Sequence, residues 1–293
     1  MYNLRFSQKL DQIGGTCFIF LLFFILTTWF TLSSESLKAQ GNLLIMPGRA
    51  VFEGSKKMVE LNLANSGTDT ASYTITMVQF RMKEDGSFEE ISKPDPGQNF
   101  SDQYLRIFPR SINLAPKEAQ LVKIQLINTS KLSPGEYRSH MYFRAVPVQK
   151  PLGEKDIPAD TTTISVKLVP IFGITVPVII RIGESTAKVN LSDYSFKVVN
   201  DSVPRLMLTF NRSGNMSVYG DLTVNYVAPT GKVTQVGLVR GIAVYTPNAL
   251  RRFEMNLNKL EGVDYRSGKL QITYTAPTDI KGTQLAEVEL LLK

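Results

Sequence analysis

The 293-residue chain has one cysteine, one tryptophan and one histidine, and each scarcity removes a class of chemistry. Cys17 alone can form no intramolecular disulfide and no thiolate metal cluster. It precedes an apolar run instead of following it, which argues against lipid attachment there. A single histidine, His140, cannot supply a multi-histidine metal site, and it lies in an alternating stretch beside Met141, where a structural role outweighs a catalytic one. Ser139 has no glycine elbow around it. Trp29 falls in the N-terminal apolar segment, so the rest of the chain has no tryptophan platform for sugars. The carboxylates lack metal-ligand spacing, pairs such as Glu89 and Glu90 suit solvated turns, and no phosphate-binding glycine loop occurs. The 33 basic residues exceed the 26 acidic ones for a net charge of +7, but they are scattered, which does not describe a nucleic-acid footprint. The expectation is a binding protein, not an enzyme, with no catalytic residues, metal, cofactor, small-molecule substrate or nucleic acid.

The N-terminus is basic at Arg5 and Lys9, apolar over 17–26, more polar through Trp29 to Leu32, and then small and polar up to Ala39. This pattern predicts a secretory signal peptide over 1–39. An uncleaved anchor is the alternative, since 17–32 approaches the roughly 17 residues of a short spanning helix. Removing the segment removes Cys17 and Trp29. What remains exceeds the usual domain of roughly 100–150 residues, so two cores without disulfides are expected.

From Leu43 onward short alternating runs are separated by turn residues. Val59, Leu61 and Leu63 repeat with period two, as do Tyr73, Ile75 and Met77, and 121–126 and 141–146 read similarly. Asp85 and Gly86 mark a hairpin turn. A polar, proline-interrupted stretch between Val148 and Thr163 predicts a long loop, after which alternation resumes in 189–196, 206–210, 222–226, 241–245, 253–257, 270–274 and 285–292. No amphipathic helix is evident. The fold expected is all-β, two sandwiches spanning 40–183 and 184–293.

One strand stands apart. In TTTISVKLVPIFGITVPVIIRIG, residues 161–183, every even position from Ile164 to Ile180 is apolar. Strands usually run about five or six residues. Either this one serves two domains in succession, or part of its apolar face belongs to another molecule.

Four passages then point to a family: MPGRAVFEGSKKMVELNLANSG (46–67), FPRSINLAPKEAQLVKIQL (108–126), GEYRSHMYFRAVP (135–147) and IFGITVPVIIRIG (171–183), with GNMSVYGDLTV (214–224) as a fifth. In order and spacing the chain resembles a divergent branch of the periplasmic pilus-assembly chaperones of the chaperone/usher pathway, the PapD-like family. The resemblance implies two immunoglobulin-like domains set at an angle around a cleft. It implies a periplasmic location, pilus or fimbrial subunits as partners, and an outer-membrane usher to receive them. It further implies that a long edge strand completes the fold of a subunit, a mode of strand addition in which backbone hydrogen bonds give affinity and side-chain pockets give specificity. Ile164, Val166 and Leu168 are the expected donor-strand side chains, and burying each contributes about 1.5–3 kcal/mol before ordering costs. Phe172 to Ile180 is expected to close the first domain.

The family anchors the subunit's terminal carboxylate with two basic residues. Arg49, in GRAVF, matches the first by its place in the first strand. The second departs from the pattern, because no lysine stands just before Pro177. Lys167 is the nearest, on the opposite strand face from Ile164, Val166 and Leu168, and Arg144 is another candidate. Self-association through the edge strand is a further expectation for an apolar edge. The alternative reading is a structural or adhesive sandwich protein of the cell surface, itself a component of a fibre.

Overall fold

The structure is a computed structural model and describes residues 43–147, 171–200, 202–277 and 283–292. Its first half contains β1 (Leu43–Met46), β2 (Ala50–Phe52), β3 (Met58–Asn65), β4 (Ala71–Val78), β5 (Phe80–Met82) and β6 (Phe88–Glu90). Then come β7 (Leu105–Phe108), β8 (Ser111–Leu114), β9 (Ala119–Leu126), β10 (Gly135–Val146) and β11 (Gly173–Ile182). The second half contains β12 (Lys188–Val199), β13 (Val203–Ser213), β14 (Val218–Val227), β15 (Val233–Val244), β16 (Leu250–Asn256), β17 (Lys269–Thr275) and β18 (Gln284–Leu291). Two short 3-10 turns are the only helical elements among the described residues.

Burial follows the period-two pattern wherever one face meets a core. Val59, Leu61 and Leu63 of β3 and Val122, Ile124 and Leu126 of β9 point inward, and the residues that alternate with them face water. The strands form a sheet in the order β1-β3-β9-β7, which packs on a second in the order β2-β11-β10-β4-β8. Phe52, Leu61, Leu63, Ile124, Met141, Phe143, Val178 and Ile180 fill the space between. The chain enters one sheet as β1 and crosses to the other as β2, which runs parallel to β11. This is the immunoglobulin arrangement, and the tyrosine corner typical of it is present: Tyr137, near the start of β10, accepts from the Ser133 N–H at 3.0 Å and donates to the Ser133 carbonyl at 3.3 Å.

The second sandwich sets β12-β13-β16 against β15-β14-β17-β18, an immunoglobulin-like seven-strand arrangement. Its core gathers Leu206, Phe210, Leu222, Val224, Tyr226, Leu270, Ile272 and Tyr274. Tyr274 is fully buried and its hydroxyl donates to the Ile242 carbonyl at 2.8 Å, so the ring adds apolar area without an unpaired polar atom. The expected all-β fold of two sandwiches is what the strands form.

A third, smaller cluster joins the two. Met82 of β5, Ile179 of β11, Ala243 of β15 and Tyr245 are buried together, with Tyr219 of β14 packed against them. One expectation is corrected here. Phe172 does not close the first core: the strand begins at Gly173, and Phe172 is 48% exposed, as Ile171 is at 43%. The even face of β11 meets the core at Ile174, which packs against it half-buried, and is fully buried from Val176 to Ile180.

Candidate functional site

Two features meet where the sandwiches join, an open strand edge and an arginine without an acid. β11 pairs with β10 along its whole length, Gly173–Ile182, but with β2 only from Val178 to Ile180. The stretch 173–177 therefore has one side unpaired among the described residues. The Ala145 N–H bonds the Phe172 carbonyl at 2.9 Å, which fixes the alternation: even residues of β11 point their backbone groups at β10 and odd ones point away. Gly173 and Thr175 thus offer N–H and C=O groups to the open edge, and Pro177 offers a carbonyl only. Proline is tolerated there because its missing N–H would have faced outward. The ring of Tyr142 lies against Gly173, where a Cβ would come within 2.1 Å of Cε2 and the ring would have to shift.

Arg49 stands at the closed end of this edge. It occupies a bend just before β2, not a strand interior as the sequence suggested. Parallel pairing puts Ala50 beside Val178, so one step back Arg49 lies level with Pro177, which in turn faces His140 across β10. The guanidinium carbon of Arg49 sits 3.7 Å from the centroid of the Tyr219 ring. Its Nε is buried without a hydrogen-bond partner. Arg49 joins no ion pair among the described residues.

The other expected site residues are placed differently. Ile164, Val166, Lys167 and Leu168 lie outside the described residues. Arg144 is exposed and sits opposite Gly173, four strand positions from Pro177 or about 13 Å along the strand, so it is not brought next to Arg49. Among the described residues no three His, Cys, Asp or Glu side chains gather as a metal would require.

Several residues that the sequence did not single out hold the junction. Glu136 of β10 is fully buried and takes the Arg181 Nε at 3.1 Å, the Ser217 N–H at 3.0 Å and the Thr246 hydroxyl at 3.3 Å. The Ser217 hydroxyl also donates to it. Arg181 Nη2 reaches the Ser217 carbonyl at 2.9 Å, so one carboxylate ties β11 to the loops of the second sandwich. Arg138 is buried over the Tyr245 ring, 4.4 Å from its centroid, and Nη2 makes long contacts of 3.4 Å with the Phe80 and Thr246 carbonyls. Burial lowers the Arg138 pKa, and Tyr245 and Glu136 oppose that shift. The Tyr245 hydroxyl is pushed up by burial, against the pull of Arg49 and Arg138.

His140 lies beneath this layer. Its ring meets Phe80 edge-on at 5.0 Å and Phe88 at 5.6 Å. Burial, with Arg138 nearby, pushes its pKa down to about 3. It is therefore a neutral packing residue at ordinary pH. The β5–β6 hairpin that carries both phenylalanines also reaches the second sandwich, where Asn248 Nδ2 bonds the Met82 carbonyl at 2.7 Å and the Arg252 N–H bonds the Glu84 carbonyl at 2.6 Å.

The arrangement can therefore do two things: accept an extra strand at β11 and bind an anionic group at Arg49. No protein-family model matches the chain and no curated protein matches it. Among solved structures it is similar to the YadV chaperone, at 14% identity over 86% of this chain and 100% of that one, with a TM-score of 0.41. It is similar to the SafB chaperone of Salmonella enterica, solved with the SafA pilin, at 12% identity over 88% and 99% of the two chains and a TM-score of 0.41. The class 5 fimbriae chaperone CfaA matches at 12% identity over 86% and 99%, with a TM-score of 0.40.

Proposed function

We propose that this protein is a periplasmic chaperone that binds pilus or fimbrial subunits by strand addition, caps their interactive surface and delivers them to an outer-membrane usher. In this reading 1–39 is the signal peptide, and 40–183 and 184–293 are the two domains. The observation that carries the proposal is the coincidence of an open backbone edge on β11 with an acid-free arginine at the end of that edge. A strand laid along 173–177 satisfies the edge. If the strand ends in its C-terminal carboxylate, that group meets Arg49, whose guanidinium can take it through two parallel hydrogen bonds. Ile164, Val166 and Leu168, which lie outside the described residues, are the side chains proposed to insert into the subunit, and Lys167 is the proposed second cation.

Co-expression with candidate pilus subunits tests this. A stable one-to-one periplasmic complex that Arg49→Ala weakens at least tenfold is expected, because charge-assisted hydrogen bonds contribute about 1.5–3 kcal/mol. Subunits that accumulate and assemble normally without the protein would sink the proposal. Recovery of the protein outside the outer membrane as part of a fibre would favour the structural alternative.

A further inference from the structure

Arg49 and Tyr219 come from different sandwiches. A free arginine side chain carries about 2 kcal/mol of rotamer entropy, which a binding partner must overcome if the group is not already held. Here the ring of Tyr219 lies against one face of the guanidinium at 3.7 Å. Stacking of this kind restricts the plane of the group without engaging its N–H groups, and those groups are what a planar carboxylate engages.

The tyrosine is itself fixed. It packs against Met82, Ile179, Ala243 and Tyr245. Its hydroxyl lies over Gly241, whose φ is +74°, and a Cβ at that position would come within 2.8 Å of the hydroxyl oxygen. The β14–β15 register shifts at this point, between Gly220 and Leu222, and Asp221 Oδ1 accepts the Gly241 N–H at 2.9 Å. A glycine in a left-handed conformation therefore makes room for the ring, and a side-chain bond secures the bulge that holds it.

The junction contains a second arginine on a tyrosine, Arg138 on Tyr245, and the contrast separates their roles. Arg138 is 2% exposed and its Nη2 is engaged with two carbonyls. Arg49 is half-buried and makes no hydrogen bond among the described residues. The first pair holds the sandwiches together, and the second leaves a cation at the end of the open β11 edge.

We infer that Tyr219 is the positioning residue of the carboxylate site. It presents Arg49 edge-on to a C-terminal carboxylate, so that the site is complete only when both sandwiches are in place. The inference rests on the reading of Arg49 as a carboxylate anchor.

The test uses the full chain and a fluorescein-labelled decapeptide that alternates valine and threonine, with either a free C-terminal carboxylate or a C-terminal amide, followed by fluorescence anisotropy. The native protein and Tyr219→Phe, which keeps the stack, are expected to prefer the acid roughly tenfold, the factor that corresponds to 1.4 kcal/mol. Tyr219→Leu is expected to reduce the preference below roughly threefold with Arg49 still present. Gly241→Ala, which displaces the ring without deleting it, provides the same reading if Tyr219→Leu fails to fold. A full acid preference in Tyr219→Leu and Gly241→Ala, with its loss in Arg49→Ala, overturns the role of Tyr219 and leaves the anchor standing. No acid preference in the native protein, or its survival in Arg49→Ala, overturns the anchor and the inference with it.

Discussion

Single residues at the junction have consequences that a titration can read. His140 is pushed down to about 3 by burial, with Arg138 adding to the effect, from an unperturbed value near 6.5. Because the folded-state value lies below the unfolded one, the neutral ring's contribution is fully present above pH 6.5 and is lost as pH falls from there towards 3. The unfolded chain binds the extra proton in that window, so stability declines by up to about 1.4 kcal/mol per pH unit from this group alone. Urea unfolding of the native protein and of His140→Phe at pH 7 and pH 4.5 should show the variant losing less stability, and identical losses would refute the assignment. Asn65 offers a second case. Its Nδ2 reaches the carbonyls of Asp69, Leu114 and Ala115 at 2.8, 3.1 and 3.2 Å, and its Oδ1 accepts the Gly67 N–H at 2.9 Å. Asn65→Ala removes those hydrogen bonds from a buried turn and should cost about 2 kcal/mol or more in chemical denaturation. Nothing local in Asn65, Ser66 and Gly67 reveals that one amide serves two connections.

At the scale of strands, the prediction concerns β11. The backbone N–H of Thr175 points away from β10 to the unpaired edge, so Thr175→Pro deletes a group that has no partner among the described residues. Thermal stability should change by less than about 1 kcal/mol, while subunit complexes recovered by co-purification should fall sharply. Unchanged recovery would mean that partners do not pair along 173–177. Strands with one wet face were legible from alternation alone, as in β3, β9, β14 and β17. β10 was legible only in part, because residues 135–141 are buried on both faces: Tyr137 and Met141 meet the first core, Arg138 faces the second sandwich, and His140 faces the β5–β6 hairpin. Burial on both sides erases the period. Phe172 misled for the opposite reason, since it keeps the apolar rhythm of β11 but projects beyond the core. Arg49 stood out through its motif, but Tyr219, which orients it, lies in the other sandwich, and no local pattern connects the two.

For the whole molecule, the junction behaves as a structural element of its own. Its apolar part is small, Met82, Ile179, Ala243 and Tyr245 with Tyr219, so polar contacts must carry much of the docking. The buried Glu136 is central among them because it bonds Arg181 of β11 together with Ser217 and Thr246 of the second sandwich. Removing one partner of a buried ion pair typically costs about 3–5 kcal/mol, since the remaining charge is left uncompensated. In Glu136→Ala that charge is Arg181, and two acceptor sites for Ser217 and Thr246 disappear with it. Each sandwich has its own core, so the loss should fall on their coupling more than on either fold. Calorimetry of the native protein is expected to give one cooperative transition, and Glu136→Ala should separate it into two, the lower shifted down by several degrees. Glu136→Gln keeps the shape and one acceptor oxygen and should shift the midpoint less, without separation. Because Arg49 and Tyr219 face each other across the same junction, Glu136→Ala should also weaken carboxylate preference in the decapeptide assay while both residues remain. A single unshifted transition in Glu136→Ala would show that the apolar cluster alone docks the sandwiches, and the carboxylate site would then be independent of this network.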